Sequence, residues 1–234
     1  MTFPIPTEVI QADRVHHNIL KRVAFSQYLN PTNPDQAHHA FLHGAQEPPF
    51  EYRPLSDANA ILEELNAASP PRDHPAGELV GQCHDSTRLF VTALRDRTAE
   101  AFDQLAQASS WYPEASILKL TFPKATAVRQ APTFPATAVI EALTNALQQR
   151  GLHTWKVVPD PIMAARVLVD GAKRVLRVKP NALFSINDLT RLVVHEIDVH
   201  VWRSFNGQRQ VLKCFTTGLP GALATEEGLA IVTE

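Results

Sequence analysis

The chain predicts an α+β fold: a mostly helical N-terminal layer, then a small sheet, then a pair of helices that carry the chemistry. Three observations point there. Apolar residues recur at helical spacing through residues 13–108. The period switches to strand-like alternation between residues 153 and 178. An apolar segment near the end then holds Val193-Val194-His195-Glu196-Ile197-Asp198-Val199-His200. The expected organisation is a helical region over residues 1–120, a Pro-rich loop over 121–135, and a metal-site core over 136–234 that reads as cut short at its C-terminal end.

Composition bounds the function. A chain of 234 residues can bury a full core in one domain, with or without a helical extension. Its 44% hydrophobic and 20% charged residues are ordinary for a globular protein. A net charge of −2 gives no electrostatic case for nucleic acid or an anionic membrane surface. Cys83 and Cys214 make neither a disulfide framework nor a zinc-thiolate site. Residues 1–10 lack the basic start and apolar core of a secretory signal, and no apolar run approaches the roughly 20 residues of a membrane helix. The expected location is the cytoplasm.

In chain order, Val15, Ile19, Leu20, Val23 and Tyr28 predict a helix over residues 13–29, ended by Asn30-Pro31. Residues 35–43 suit a short helix, and the prolines of residues 46–54 suit an extended connection. Ser56-Asp57 should cap a helix through Ala68, stopped by Ser69-Pro70-Pro71. The stripe Leu79, Leu89, Phe90, Ala93, Leu94, Phe102 and Leu105 predicts one helix over residues 77–108, or two with a break. His16-His17 and His38-His39 are adjacent pairs, about 100° apart on a helix, and so are poorly placed to share an ion.

After the loop, a helix should open at Pro135 or Thr137 and close at Gln149, before Gly151. Strands are expected over residues 153–158, 165–169 and 175–178, with Asp170-Gly171 as the hairpin signal between the last two. Ser185, with Asp188 three residues on, is a capping-box variant that starts the ligand helix. Gly207 is expected to stop it.

Two His and a Glu can hold zinc and leave its fourth position for water, and a Glu beside the first His can serve as general base. The spacing here is H-E-x-x-x-H. Five residues apart on a regular α-helix, two side chains diverge by roughly 140°. His195 and His200 can share an ion only if a π-type turn, expected around residues 197–199, absorbs the extra residue.

The segments His195 to His200, Trp202-Arg203-Ser204-Phe205-Asn206-Gly207-Gln208, Gly218-Leu219-Pro220 and Thr225-Glu226-Glu227-Gly228-Leu229-Ala230 together resemble one family. It is that of the flavohaemoglobin-expression-modulating QEGLA-motif proteins, related to the microtubule-associated tyrosine carboxypeptidases of animals. The match is dense over residues 183–234. It is looser upstream, where Asn30-Pro31-Thr32-Asn33, Phe50-Glu51-Tyr52 and Trp111-Tyr112-Pro113 also fit.

The resemblance implies a zinc metallopeptidase of the gluzincin type. By position, His195, His200 and Glu227 are the ligands of a Zn2+ ion and Glu196 is the base; Glu226 supports the site without ligating. Arg203 or Asn206 is expected to orient a ligand or bind substrate, with Lys213 as a further cation. Asp198 stands where relatives carry Gly and either tunes His200 or faces solvent. A strand over residues 165–169 or 174–179 should line the groove, by analogy with that architecture. The expected activity is carboxypeptidase-like hydrolysis of a peptide or protein C-terminus, with Glu196 acting on zinc-bound water. A zinc-binding but inactive regulatory module, and a metal-free helical interaction protein, are the alternatives.

Overall fold

Pro4 and Pro6 fix an extended entry, and helix α1 runs from Thr7 to Arg22 in a computed structural model that describes residues 4–121 and 131–234. The expected single helix over residues 13–29 is corrected at both ends. It starts six residues earlier, and Val23 breaks it by turning extended (φ −102°, ψ 121°) before α2, Ser26–Leu29. Packing overrides periodicity here. Val23 is buried with Leu55 and Leu94, and Phe25 meets Phe90 edge-on at 5.2 Å.

Helices α3 (Pro34–Leu42), α4 (Ala58–Ala67), α5 (Pro75–Asp96) and α6 (Ala99–Ala108) complete the first half. Asp57 is the N-cap of α4 but makes no side-chain capping bond. The stripe over residues 77–108 proves to be two helices. Arg97 takes the left-handed conformation (φ 50°), its guanidinium donating to the carbonyls of Tyr28 and Arg53 at 2.9 Å, and Thr98 caps α6. Ile19, Ile61, Leu65, Val91 and Leu94 form the core of this layer. Burying each such side chain contributes about 1.5–3 kcal/mol.

In the second half, strand β1 (Phe134–Pro135) pairs antiparallel with β5 (Leu183–Phe184), so the end of the expected 121–135 loop is ordered sheet. Residues 122–130 of that loop lie outside the described residues. Helix α7 spans Ala136–Gln149 as expected. Strands β2 (Lys156–Pro159), β3 (Val167–Asp170) and β4 (Val175–Val178) form a sheet in the order β2-β4-β3, with β2 parallel and β3 antiparallel to β4. The strand expected from residue 153 begins only at Lys156, because Trp155 N–H closes a turn onto the Leu152 carbonyl.

The β3–β4 turn spans residues 171–174. Asp170 Oδ1 accepts the Lys173 N–H at 3.1 Å, and Arg174 supplies the positive φ of 56°. Gly171 is required for a different reason. A Cβ there would lie 2.5 Å from Ser204 Oγ.

Helix α8 (Ile186–Leu192) opens on the Ser185–Asp188 capping box: Asp188 N–H donates to Ser185 Oγ at 3.2 Å and Ser185 N–H to Asp188 Oδ2 at 2.8 Å. It runs directly into a π-helix, Val193–Val201, and then α9, Trp202–Gln208. Gly207 is not the stop. It is buried inside α9, where a Cβ would sit 2.1 Å from the Phe215 carbonyl oxygen, so it lets α9 press against α10 (Cys214–Thr217). Helix α11, Leu223–Thr233, follows.

A core of α7, the sheet, α8 and the π-helix centres on Leu143, Leu176, Phe184, Ile197 and Val201. A third cluster, with Val9, Ala12, Val80, Cys83, Leu212 and Cys214, joins α1 and α5 to the segment around α10. Asp13, fully buried, anchors that join by accepting the backbone N–H groups of Lys213 and of Cys214, the latter at 2.8 Å. No helix among the described residues is long and apolar enough to cross a membrane.

Candidate metal centre

The expected π-turn around residues 197–199 is present and is longer, covering nine residues. Hydrogen bonding from i to i+5 brings residues five apart onto one face. Ile197 and Val201 therefore enter the core, while the rings of His195 and His200 approach to 4.9 Å between centroids on the cavity side. Asp198 does not meet His200; of the two expectations for it, the exposed position holds. Arg150, at the end of α7, grips its carboxylate at 2.5 and 2.8 Å, pinning the outer side of the π-helix.

Glu227 closes the group. One donor atom from each of His195, His200 and Glu227 lies within 4.8 Å of the others, a cluster that could hold a metal ion. His195 Nε2 is 3.4 Å from Glu227 Oε2, and His200 Nε2 is 3.5 Å from Glu227 Oε1. Ligands about 2.1 Å from a tetrahedral ion stand roughly 3.4 Å apart, so the spacing suits zinc.

The other ring nitrogens are fixed by carboxylates. His195 Nδ1 bonds Glu234 Oε1 at 2.6 Å and His200 Nδ1 bonds Glu226 Oε1 at 2.7 Å. An ionised carboxylate only accepts, so in the neutral rings each Nδ1 carries the proton and each Nε2 lone pair faces Glu227. The supports are themselves held. Arg191 reaches Glu234 at 3.2 Å, and Arg203 Nε reaches both oxygens of Glu226 at 3.0 and 3.1 Å. Arg203 also donates to the Thr216 carbonyl at 2.6 Å, tying α9 to α10.

Sequence reasoning missed Glu234. Its signal was available: it follows Glu227 by seven residues, two helical turns, and so shares its face of α11. Asn206 lies exposed beside a separate groove of about 440 Å³, outside the cavity of the His residues. Lys213 Nζ donates to the carbonyls of Gln208 and Gln210, where it caps the end of α9. Among the described residues, neither adjacent His pair belongs to a metal-type cluster.

Burial pushes the Glu196 carboxyl above its ordinary range, against the opposing pull of His200 and His195. For His200, burial opposes the charged ring, yet the Glu226 bond and the nearby carboxylates outweigh it and raise its pKa. For Glu226, burial is likewise outweighed, by His200 and Arg203, and the carboxyl stays low.

Glu196, His195, His200, Glu226 and Glu227 line a cavity of about 540 Å³. Its other walls are the edge strand β3 (Val167, Leu168, Val169), the Thr217–Pro220 loop, and residues of α1 and α5. Of the two strands expected to line the groove, β3 does.

A mixed α+β chain that gathers two imidazoles and a carboxylate in one cavity defines a candidate metal-site protein. The family model described as microtubule-associated tyrosine carboxypeptidase matches residues 39–234, and the chain belongs to that family. Its function is accordingly of the carboxypeptidase kind. No curated protein and no solved structure matches it.

Proposed function

We propose that this chain is a zinc-dependent carboxypeptidase that removes the C-terminal residue of a peptide or protein, with His195, His200 and Glu227 as zinc ligands and Glu196 as general base. The observation that carries the reading is the convergence of two Nε2 atoms and one carboxylate, with both Nδ1 atoms committed to carboxylates. A His2Glu donor set leaves a position open for chemistry, and carboxylate-bound His rings are the usual support of such ligands.

Zinc held there would supply a Lewis acid for the scissile carbonyl and a lowered pKa for the attacking water. Glu196 takes the water's proton and delivers it to the leaving amine; its burial-raised pKa suits a group that must hold a proton between the two events. Glu226 and Glu234 keep the rings aimed, with Arg203 and Arg191 holding those carboxylates in turn. Strand β3, an edge, offers its backbone to an extended substrate.

The test is cleavage of tyrosine-terminated peptides followed by mass spectrometry, with zinc content measured alongside. Glu196→Gln should retain near-stoichiometric zinc and lose at least about a thousandfold in turnover. Wild-type protein that holds no zinc after incubation with it would end the reading.

A further inference from the structure

Trp111 and Tyr112 take no part in the metal cavity, yet both are held in place. Helix α6 ends in a paired backbone cap. Ser110 N–H donates to the Gln107 carbonyl at 3.1 Å, and Trp111 N–H donates to the Ala106 carbonyl at 2.9 Å. Ser110 takes the left-handed conformation (φ 55°) that this cap needs, a place more often filled by glycine. Tyr112 is then fastened through its hydroxyl, which donates to Asp103 Oδ1 at 2.6 Å.

The turn leaves a cleft of about 660 Å³. Phe102 and Ala106 line it together with the two aromatic rings, and Glu100 and Asp103 add two carboxylates. Its volume lies in the range of ligand sites. Trp111 is 47% exposed and Tyr112 56%. Aromatic side chains that are open and already fixed suit a binding surface, since they offer a large contact area at little further loss of conformational entropy.

Charge decides what fits. Glu100 and Asp103 lie three residues apart on α6, and so share one face of it. Among the described residues, no Lys, Arg or His lines the cleft, and α6 itself carries none. Asp103 accepts from two neutral donors, the Tyr112 hydroxyl and the Gln107 amide, each at 2.6 Å, and keeps its negative charge. Ring faces are negative as well. A planar guanidinium can stack on an indole or phenol face while it donates to a carboxylate.

We propose that this cleft docks an arginine side chain from a basic segment of a partner protein. A protein source, rather than a free small molecule, follows from the segment just beyond, where Ile117, Leu118 and Leu120 are also exposed. Clustered apolar exposure of this kind marks surfaces that a macromolecule covers. The proposal stands apart from the metal reading, because the two cavities share no residue.

The experiment is fluorescence anisotropy of a labelled hexa-arginine peptide titrated with the full chain. The peptide is capped at both ends, so that no free C-terminus enters the metal cavity. Wild type should bind it saturably, and more tightly than capped hexa-lysine, which lacks the planar group. Trp111→Ala should weaken binding about fivefold, and Trp111→Phe should recover most of the loss by restoring a ring face. Glu100→Gln should weaken it about two- to fivefold at low salt, with the difference shrinking as salt is added. Glu63→Gln, which removes an exposed carboxylate of α4, should bind as wild type.

Absence of saturable binding in wild type overturns the proposal, as does undiminished affinity in Trp111→Ala. Equal losses in Glu63→Gln and Glu100→Gln overturn it too, since they would mean attraction to overall charge. Free L-arginine that binds as tightly as the peptide would make the cleft a small-molecule site and end the docking claim. If Trp111→Ala melts below wild type, Glu100→Gln decides alone, and unchanged affinity there overturns the proposal.

Discussion

His195 and His200, five residues apart in sequence, face one another at 4.9 Å because the backbone between them is wound as a π-helix. Each then meets a carboxylate through Nδ1, His200 that of Glu226 in α11 and His195 that of Glu234 at its C-cap, so the two segments are joined at four side chains before any ion is added.

That join makes Glu226 a measurable support. Glu226→Ala should weaken zinc binding by about 10–100-fold, because His200 loses the acceptor that fixes its tautomer. Competition against a chromophoric chelator reads this directly, and Glu234→Ala should act similarly through His195. Wild-type affinity in both variants would show that the bonds are incidental.

Gly207→Ala should be severely destabilising. The added Cβ would sit 2.1 Å from a backbone oxygen of Phe215, which cannot swing aside as a side chain would. A loss of about 3 kcal/mol is expected, or roughly 6–12 °C in Tm for a chain of this size. A thermal melt within about 1 °C of wild type would contradict the close approach of α9 and α10.

Asp13 tests how far the first helix belongs to the site. Asp13→Ala strands two backbone N–H groups at the start of α10, at a cost of about 2–5 kcal/mol. Asp13→Asn, which keeps one accepting oxygen, should fall between. Equal denaturation midpoints for all three proteins would remove the anchor.

Acid should weaken the fold through His16. Its pKa is about 3 when folded and about 6.5 when unfolded, so between those values the unfolded chain binds the extra proton. Stability therefore rises with pH across that window and is lost on acidification, by up to about 1.4 kcal/mol per pH unit from this ring. Urea titrations between pH 5 and 6.5 should show a shallower slope for His16→Gln than for wild type. Identical slopes would refute the assignment.

Local chemistry made much of this readable in advance. The capping box at Ser185 and Asp188 and the helix over Ala136–Gln149 follow from interactions within a few residues. The π-turn was expected on a condition: for His195 and His200 to share a face, a regular α-helix does not suffice. The Val23 break, the pairing of β1 with β5, and the reasons for Gly171 and Gly207 were not readable. Each depends on a contact with a distant segment, and periodicity carries no information about what will press against a residue.

By itself, then, the sequence determined the residue types of the site and their local spacing: two His, a neighbouring Glu and a second acidic pair on a following helix. Tertiary structure alone decided which carboxylate faces which nitrogen, that Arg150 rather than His200 claims Asp198, and that α1 reaches across to hold Cys214 and enter the cavity. The reason is physical. Spacing fixes directions within one helix, but partners up to 201 residues apart are chosen by packing, which only the assembled chain supplies.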